Sequence, residues 1–278
     1  MRRSARQERG IALVTTLWVS LLLALTVVTV ATAVRTESGA RRNAADLARA
    51  REAALAGLHL AMHEIVQSVT TRTMPRDGRA ATFEIGGNLV SVAIEDERGK
   101  LDLRLAPPQS VQALLRVLGG RAGIDAFDSV NLAQTITRAL QETRQGDDRR
   151  ARVHAMSALA ALPGMPAGFA DLLDRHATIF GFGAQVNPMR ASREVLGAIE
   201  GLDARTAAEI IAAREDGRPR PAAGRAEPWL TNLEGPVYTI RATGRIASGI
   251  SSTVTAVVAN EGIGLGARVG RIAILELR

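Results

Sequence analysis

The chain has no cysteine, which excludes a disulfide frame, a thiolate metal site and a thiol nucleophile. Aromatic residues make up only 3% of it, so no stacking platform for single-stranded nucleic acid is available. Lysine is nearly missing as well. Lys100 is the only one, and the net charge of +7 rests on arginine, which reflects genome composition more than arginine-specific chemistry. Four arginines and one glutamate of that balance fall in the first ten residues. G-x-S-x-G, P-loop and H-E-x-x-H patterns are absent, and no sequence feature argues for an enzyme. With 23% charged residues, a polytopic membrane protein is excluded.

One local absence organises the rest. Between Arg9 and Arg35 there is no charged side chain, only GIALVTTLWVSLLLALTVVTVATAV. As a helix, Ile11 to Val34 reaches about 36 Å, enough to cross a hydrocarbon core of about 30 Å. The run is longer than the roughly 7–15 apolar residues of a secretory signal. Ala31-Thr32-Ala33 nevertheless has the small-x-small form that signal peptidase accepts. Three processing outcomes stay open on the residues alone: cleavage there, an uncleaved anchor, or trimming at the glycine of the leader RQERG. Positive charge flanks the run on both sides, so the arginine count does not set its orientation.

Beyond Val34 the helical pattern continues through Leu55, Leu58, Met62, Ile65 and Val69 to about Thr70, with Gly39 and Gly57 as candidate bends. TFEI, LVSVAI and KLDLRL then alternate as half-buried strands of an antiparallel meander, turned by Gly86-Gly87 and Glu97-Arg98-Gly99. Helices follow at 109–118, 123–142, 151–162, 167–176, 191–200 and 204–214. EDGRPRPAAGRAEP forms a Pro/Gly/Arg-rich loop, and strand alternation returns in VYTIRATGRI, STVTAVVAN and RIAILEL. These elements divide the chain into a leader (1–10), a transmembrane helix (11–34) and the first part of an α/β core (35–105). An inserted α-helical domain (106–214), a flexible loop (215–236) and returning core strands (237–278) complete it. The predicted class is α+β: one long helix, half in the membrane and half packed on an antiparallel sheet, with an all-α block inserted in that sheet.

Few residues suggest chemistry. Glu95, Asp96, Glu97 and Asp102 cluster near a turn and could give calcium hard oxygen ligands; an exposed acidic turn is the plainer account. His59 and His63 are four apart on a helix, as solvated face residues commonly are, while His154 and His176 have no partner that the sequence names. Gly262, Gly264 and Gly266 precede a strand and read as a hairpin connection rather than a nucleotide loop. Two self-similar pieces, ALAALPGMPAGFADLLDRH and EVLGAIEGLDARTAAEIIAAR, resemble helix-hairpin-helix modules, giving the alternative of a membrane-anchored DNA-binding protein. Against it, Pro166 has no N–H for phosphate and Asp203 repels one. A plain secreted binding protein is a further alternative.

The leader RQERG before IALVTTLWVSLLLAL resembles the class III signal of type IV pilins and pseudopilins. In that class a prepilin peptidase cuts after the glycine, here Gly10, and the new first residue, here Ile11, is methylated. Most pilins carry Glu at the fifth mature position, where it neutralises a neighbour's terminal amine; here that position is Thr15. With IEDERGKLDLRLAP, QVNPMRASREVLGAIEGLDARTAAEIIAAR and the terminal strands, nearly the whole chain resembles the type II secretion system minor pseudopilin K family. Asp102, Arg104, Pro188 and Met189 depart from the Asn and Thr-Ala usual there. The resemblance implies a pseudopilin-like α/β core in the bacterial inner membrane, N-terminus cytoplasmic and C-terminal domain periplasmic. It implies assembly with minor pseudopilins I and J and the major pseudopilin at the tip of a pseudopilus that exports folded proteins. Calcium is bound by some members of that family, with no ligands assignable here.

Overall fold

The structure is a computed structural model that describes residues 4–67, 71–145, 153–260 and 272–278. Helix α1 (Ser4–Val66) runs unbroken for 63 residues, about 95 Å at 1.5 Å per residue. Its apolar window is 0% buried, and Leu17, Trp18 and Val27 stand open. Burial starts at Ala50 and continues through Ala53, Ala54, Leu58, Ala61 and Ile65. The expected seam of large residues is therefore displaced. Leu58 and Ile65 belong to it, Leu55 and Met62 only flank it, and small residues supply most of the contact. Val69 lies outside the described residues.

Small residues are needed because the helix sits very close to the sheet. A side chain at Gly57 would place its Cβ 2.5 Å from Val90 Cγ1 and 3.0 Å from Val92 Cγ2. This glycine provides clearance rather than a bend. The helix stops at Val66, short of the expected Thr70, where Arg76 takes over its free carbonyls. Arg76 Nη2 donates to Ile65 O at 2.9 Å and to Glu64 O at 3.4 Å, and Nη1 donates to Tyr238 Oη at 2.8 Å. Its guanidinium lies 4.8 Å from the Tyr238 ring centre, and Glu64 Oε1 accepts the amides of Thr73 and Met74.

The sheet has the order β1-β2-β5-β6-β7 and every pairing in it is antiparallel. Its strands are β1 (Asp77–Ile85), β2 (Asn88–Asp96), β5 (Val237–Arg245), β6 (Ser251–Asn260) and β7 (Ile272–Leu277). Gly86 and Gly87, with φ +57° and +75°, close the first hairpin as that turn requires. Val90, Val92, Ile94, Tyr238, Ile240 and Val258 cover the face under α1.

KLDLRL is not a third strand of the meander. Only β3 (Leu101–Asp102) is extended, and it pairs in parallel with β4 (Ala177–Thr178) away from the main sheet. The cause is local: Asp102 Oδ1 accepts the amides of Arg104 at 2.7 Å and Leu105 at 3.2 Å, turning the chain before a ladder can extend. Strand β5 takes the vacant place beside β2.

Between β2 and β5 lie α2 (Pro108–Arg121), α3 (Ala126–Gln145), α4 (Phe169–Asp174), α5 (Arg193–Ala198) and α6 (Ala204–Glu215). They close over their own apolar cluster, which includes Leu114, Leu118, Ile136, Leu159, Leu173 and Ile210. Pro108 at the first turn starts α2; Ser192 and Asp203 cap α5 and α6 by accepting Val195 N and Thr206 N. The expected helix 151–162 is instead a short 3-10 helix, Met156–Ala161, with 151 and 152 outside the described residues. Helices α4 and α5 have only six residues each. Left-handed Gly168 delays the first, and extended Ile199 ends the second. Phe180 packs this block on the far face of the sheet with Val237, Val257 and Ala259, and Arg278 forks onto Asp174 at 2.9 and 3.1 Å.

The stretch 215–236, whose composition reads as a flexible loop, is tied down. It contains the 3-10 helix Gly224–Trp229. Arg220 forks onto Glu227 at 3.0 and 2.7 Å, and the same carboxylate accepts Ala223 N at 3.1 Å. Those bonds pull the Glu227 pKa from 4.5 to about 2. A lowered native pKa makes the fork stabilising above 4.5 and removes it as the pH falls through about 2. Hydrogen exchange at 220–230, corrected for intrinsic pH dependence, is expected to speed up over that acid range in the wild type. Arg220→Gln is expected to abolish the acid transition.

Candidate functional site

Gly10 and Ile11 lie within the α1 helix, and the Ile11 side chain is outside the described residues. Thr15, Thr16, Ser20 and Ala24 all sit on the open apolar half. Thr26 and Thr29 return their hydroxyls to Leu22 O and Thr26 O at 2.8 Å, so these polar groups need no water. Among the described residues, α1 is the one helix long and apolar enough to cross a bilayer.

The four carboxylates proposed for calcium do not converge. Glu97 is buried with its Oε1 2.6 Å from Lys100 Nζ, and the same oxygen accepts Thr239 Oγ1 at 2.6 Å. Glu95 lies 3.8 Å from the same ammonium. Burial opposes the charge on Lys100, yet Glu97 and Glu95 outweigh it and hold that pKa above its usual value. Asp96 accepts Gly235 N at 3.0 Å and Arg98 N at 2.9 Å. Asp102 sits in its own turn against Gly181, whose lack of a side chain admits it. Burial raises the pKa of both aspartates, with the amides they accept pulling the other way. A cation would meet the Lys100 ammonium first, so this group does not suit calcium. Among the described residues no three His, Asp or Glu side chains gather as a metal site. The cavity beside Lys100 and Asp102 measures about 10 Å³, room for at most one water.

Sequence reasoning missed the role of Lys100, although a single lysine inside the acidic run Glu95–Asp102 was a usable signal. It also missed Arg76, which no local pattern links to Tyr238. Among the described residues the histidines join no metal site. His59 and His63 are exposed, His63 pairing with Gln67 at 2.9 Å. His176 Nδ1 meets Ser192 Oγ at 2.8 Å and Glu194 at 3.9 Å. Both partners use one ring nitrogen, so no proton relay forms. The turn between α5 and α6 is packed, not open: a side chain at Gly201 would lie 3.1 Å from Arg225 Cβ. Gly262, Gly264 and Gly266 lie outside the described residues.

What the arrangement offers is an uncovered apolar rod joined to a sheet, with a helical block set in one strand crossover. No protein-family model matches the sequence, and no curated protein sequence matches it. A similar solved structure is the crystal structure of the GspK-GspI-GspJ complex from the type 2 secretion system of enterotoxigenic Escherichia coli. A chain of that complex superposes with a TM-score of 0.53 at 13% identity, over 88% of this chain and 98% of that one. The fold is pseudopilin-like. At that identity the likeness extends to architecture alone: the long helix, the five-stranded antiparallel sheet and the added helical elements.

Proposed function

We propose that the protein is a minor pseudopilin at the tip of a type II secretion pseudopilus, where it supports pseudopilus assembly and export of folded proteins. On this reading it acts by assembly, not catalysis. A prepilin peptidase removes residues 1–10, and α1 anchors the chain in the inner membrane with the remainder in the periplasm. The partners are the minor pseudopilins I and J and the major pseudopilin.

One observation carries the reading: a pseudopilin-like core in which the β2-to-β5 crossover is expanded into a separately cored helical block. Such a block is too bulky to stack inside a tight filament and has room at the end of one. Thr15 supports the same position, because a subunit with nothing ahead has no amine to neutralise. An acid in hydrocarbon without a partner is costly.

Mass spectrometry of the mature N-terminus tests the processing. Methylated Ile11 is expected; a start at Val34 would overturn the assignment. A second prediction concerns Thr15. Thr15→Glu is expected to leave an unpaired carboxylate in the membrane span, at a cost below the roughly 2.5–3.5 kcal/mol of a charge at the bilayer centre, and to reduce secretion several-fold. Secretion unchanged in that variant would count against the tip position.

A further inference from the structure

The charge that follows the apolar span is concentrated in two turns of α1. Residues 35–42 hold Arg35, Glu37, Arg41 and Arg42, whereas residues 43–52 balance Arg49 and Arg51 against Asp46 and Glu52. Arg41 is taken by Glu37 at 2.6 Å and Arg49 by Asp46 at 3.4 Å. Arg35 and Arg42 have no acidic partner among the described residues, and both are exposed. They are seven positions apart, two turns along one face, with Ser38 between them.

The Arg42 side chain also points toward the span. Helical side chains tilt toward the N-terminus, which on α1 is the direction of the span. Arg42 follows this tilt: its Nε donates to Ser38 O at 3.3 Å and its Nη2 to Ser38 Oγ at 3.4 Å. Its guanidinium thus sits about one turn, roughly 6 Å, nearer the span than its own Cα. Arg35 directly follows Val34, the last residue of the span. Arg42 thereby carries its guanidinium back to the level of Ser38, three residues or about 4.5 Å past the Cα of Arg35, within the depth of one headgroup region of about 5 Å. Unpaired arginines on the outer flank run against the usual inside bias of positive charge, so they call for an anion at that depth.

We infer that Arg35 and Arg42 form a clamp for the phosphodiester of an anionic lipid in the outer leaflet, with Ser38 positioning Arg42 and donating its own hydroxyl to Arg35 O at 3.0 Å. Charge complementarity and continuity with the apolar span select a lipid headgroup as the occupant. The inference rests on the proposal that α1 spans the membrane. The clamp would hold the subunit at a fixed depth until it leaves the bilayer.

The test uses the full chain in nanodiscs of phosphatidylcholine with a minority of phosphatidylglycerol, read by native mass spectrometry of the released protein. Wild type is expected to retain phosphatidylglycerol over phosphatidylcholine. Arg35→Gln/Arg42→Gln is expected to lose that preference on the order of 30-fold, about 1 kcal/mol for each arginine. The control Arg49→Gln/Arg51→Gln should keep it. Equal retention in the first double variant, with the chain still resistant to alkaline extraction, would overturn the clamp and leave the anchor standing. Extraction of the wild type at alkaline pH would overturn the anchor itself. Displacement of the lipid by inorganic phosphate in detergent would assign the arginines to a free phosphate and overturn the lipid reading.

Discussion

Lys100→Met is expected to destabilise the folded domain by about 3–5 kcal/mol, a typical cost of removing one partner of a buried ion pair. The side chains of Lys100 and Glu97 are only 5% and 3% exposed, so water cannot replace the lost ammonium. Glu97 would keep Thr239 as a donor but face no positive charge. Thermal unfolding should then shift down by about 10 °C. The double variant Lys100→Met/Glu97→Gln should recover most of the loss, because the buried uncompensated charge is gone and Glu95, 40% exposed, keeps its water. Equal melting of wild type and Lys100→Met would show that the pair is not needed for the fold. The raised pKa of Lys100 adds a sign. Its contribution is present below pH 10.5 and fades as the pH rises through the higher native value, so only the wild type should show that alkaline loss.

Gly244→Val is expected to detach α1 from the sheet. A Cβ at Gly244 would lie 2.6 Å from Ala54 N and 2.8 Å from Ala53 Cβ, and would also collide with Ala50 O. Two of these atoms are helix backbone, which has no rotamer through which to retreat. The loss should reach about 3 kcal/mol, the upper end of overpacking costs, despite the better strand propensity of valine. Protease cleavage between residues 50 and 65 and faster hydrogen exchange there are the readouts. Gly39→Ala is the control. No atom lies within 4 Å of its added Cβ, so the variant should be neutral or gain up to about 1 kcal/mol of helix propensity. Unchanged protection of α1 in Gly244→Val would mean that the close approach is not required.

These two sites mark where the sequence was and was not legible. The uncharged run before Arg35 and the alternation around Gly86-Gly87 announce α1 and the first hairpin directly, since burial in one medium and on one face leaves a regular pattern. The docking stripe of α1 was hidden because it is built from alanine and glycine, which carry little hydrophobic weight. KLDLRL has the alternation of a strand, but one carboxylate closing on two amides overrode it. Arg76 and Glu97 are held by partners far along the chain, Tyr238 and Thr239. No window of sequence contains both members of such pairs.

The lengthwise seating of α1 has a mechanical consequence. From Ala50 to Ile65 the helix lies over β2, β5 and β6, and its end is gripped by Arg76. A tug along the rod therefore loads the whole contact in shear, so many weak attachments must yield together. A sideways tug would peel them apart one by one at far lower force. The head can thus be towed along the axis of its stalk without being stripped from it.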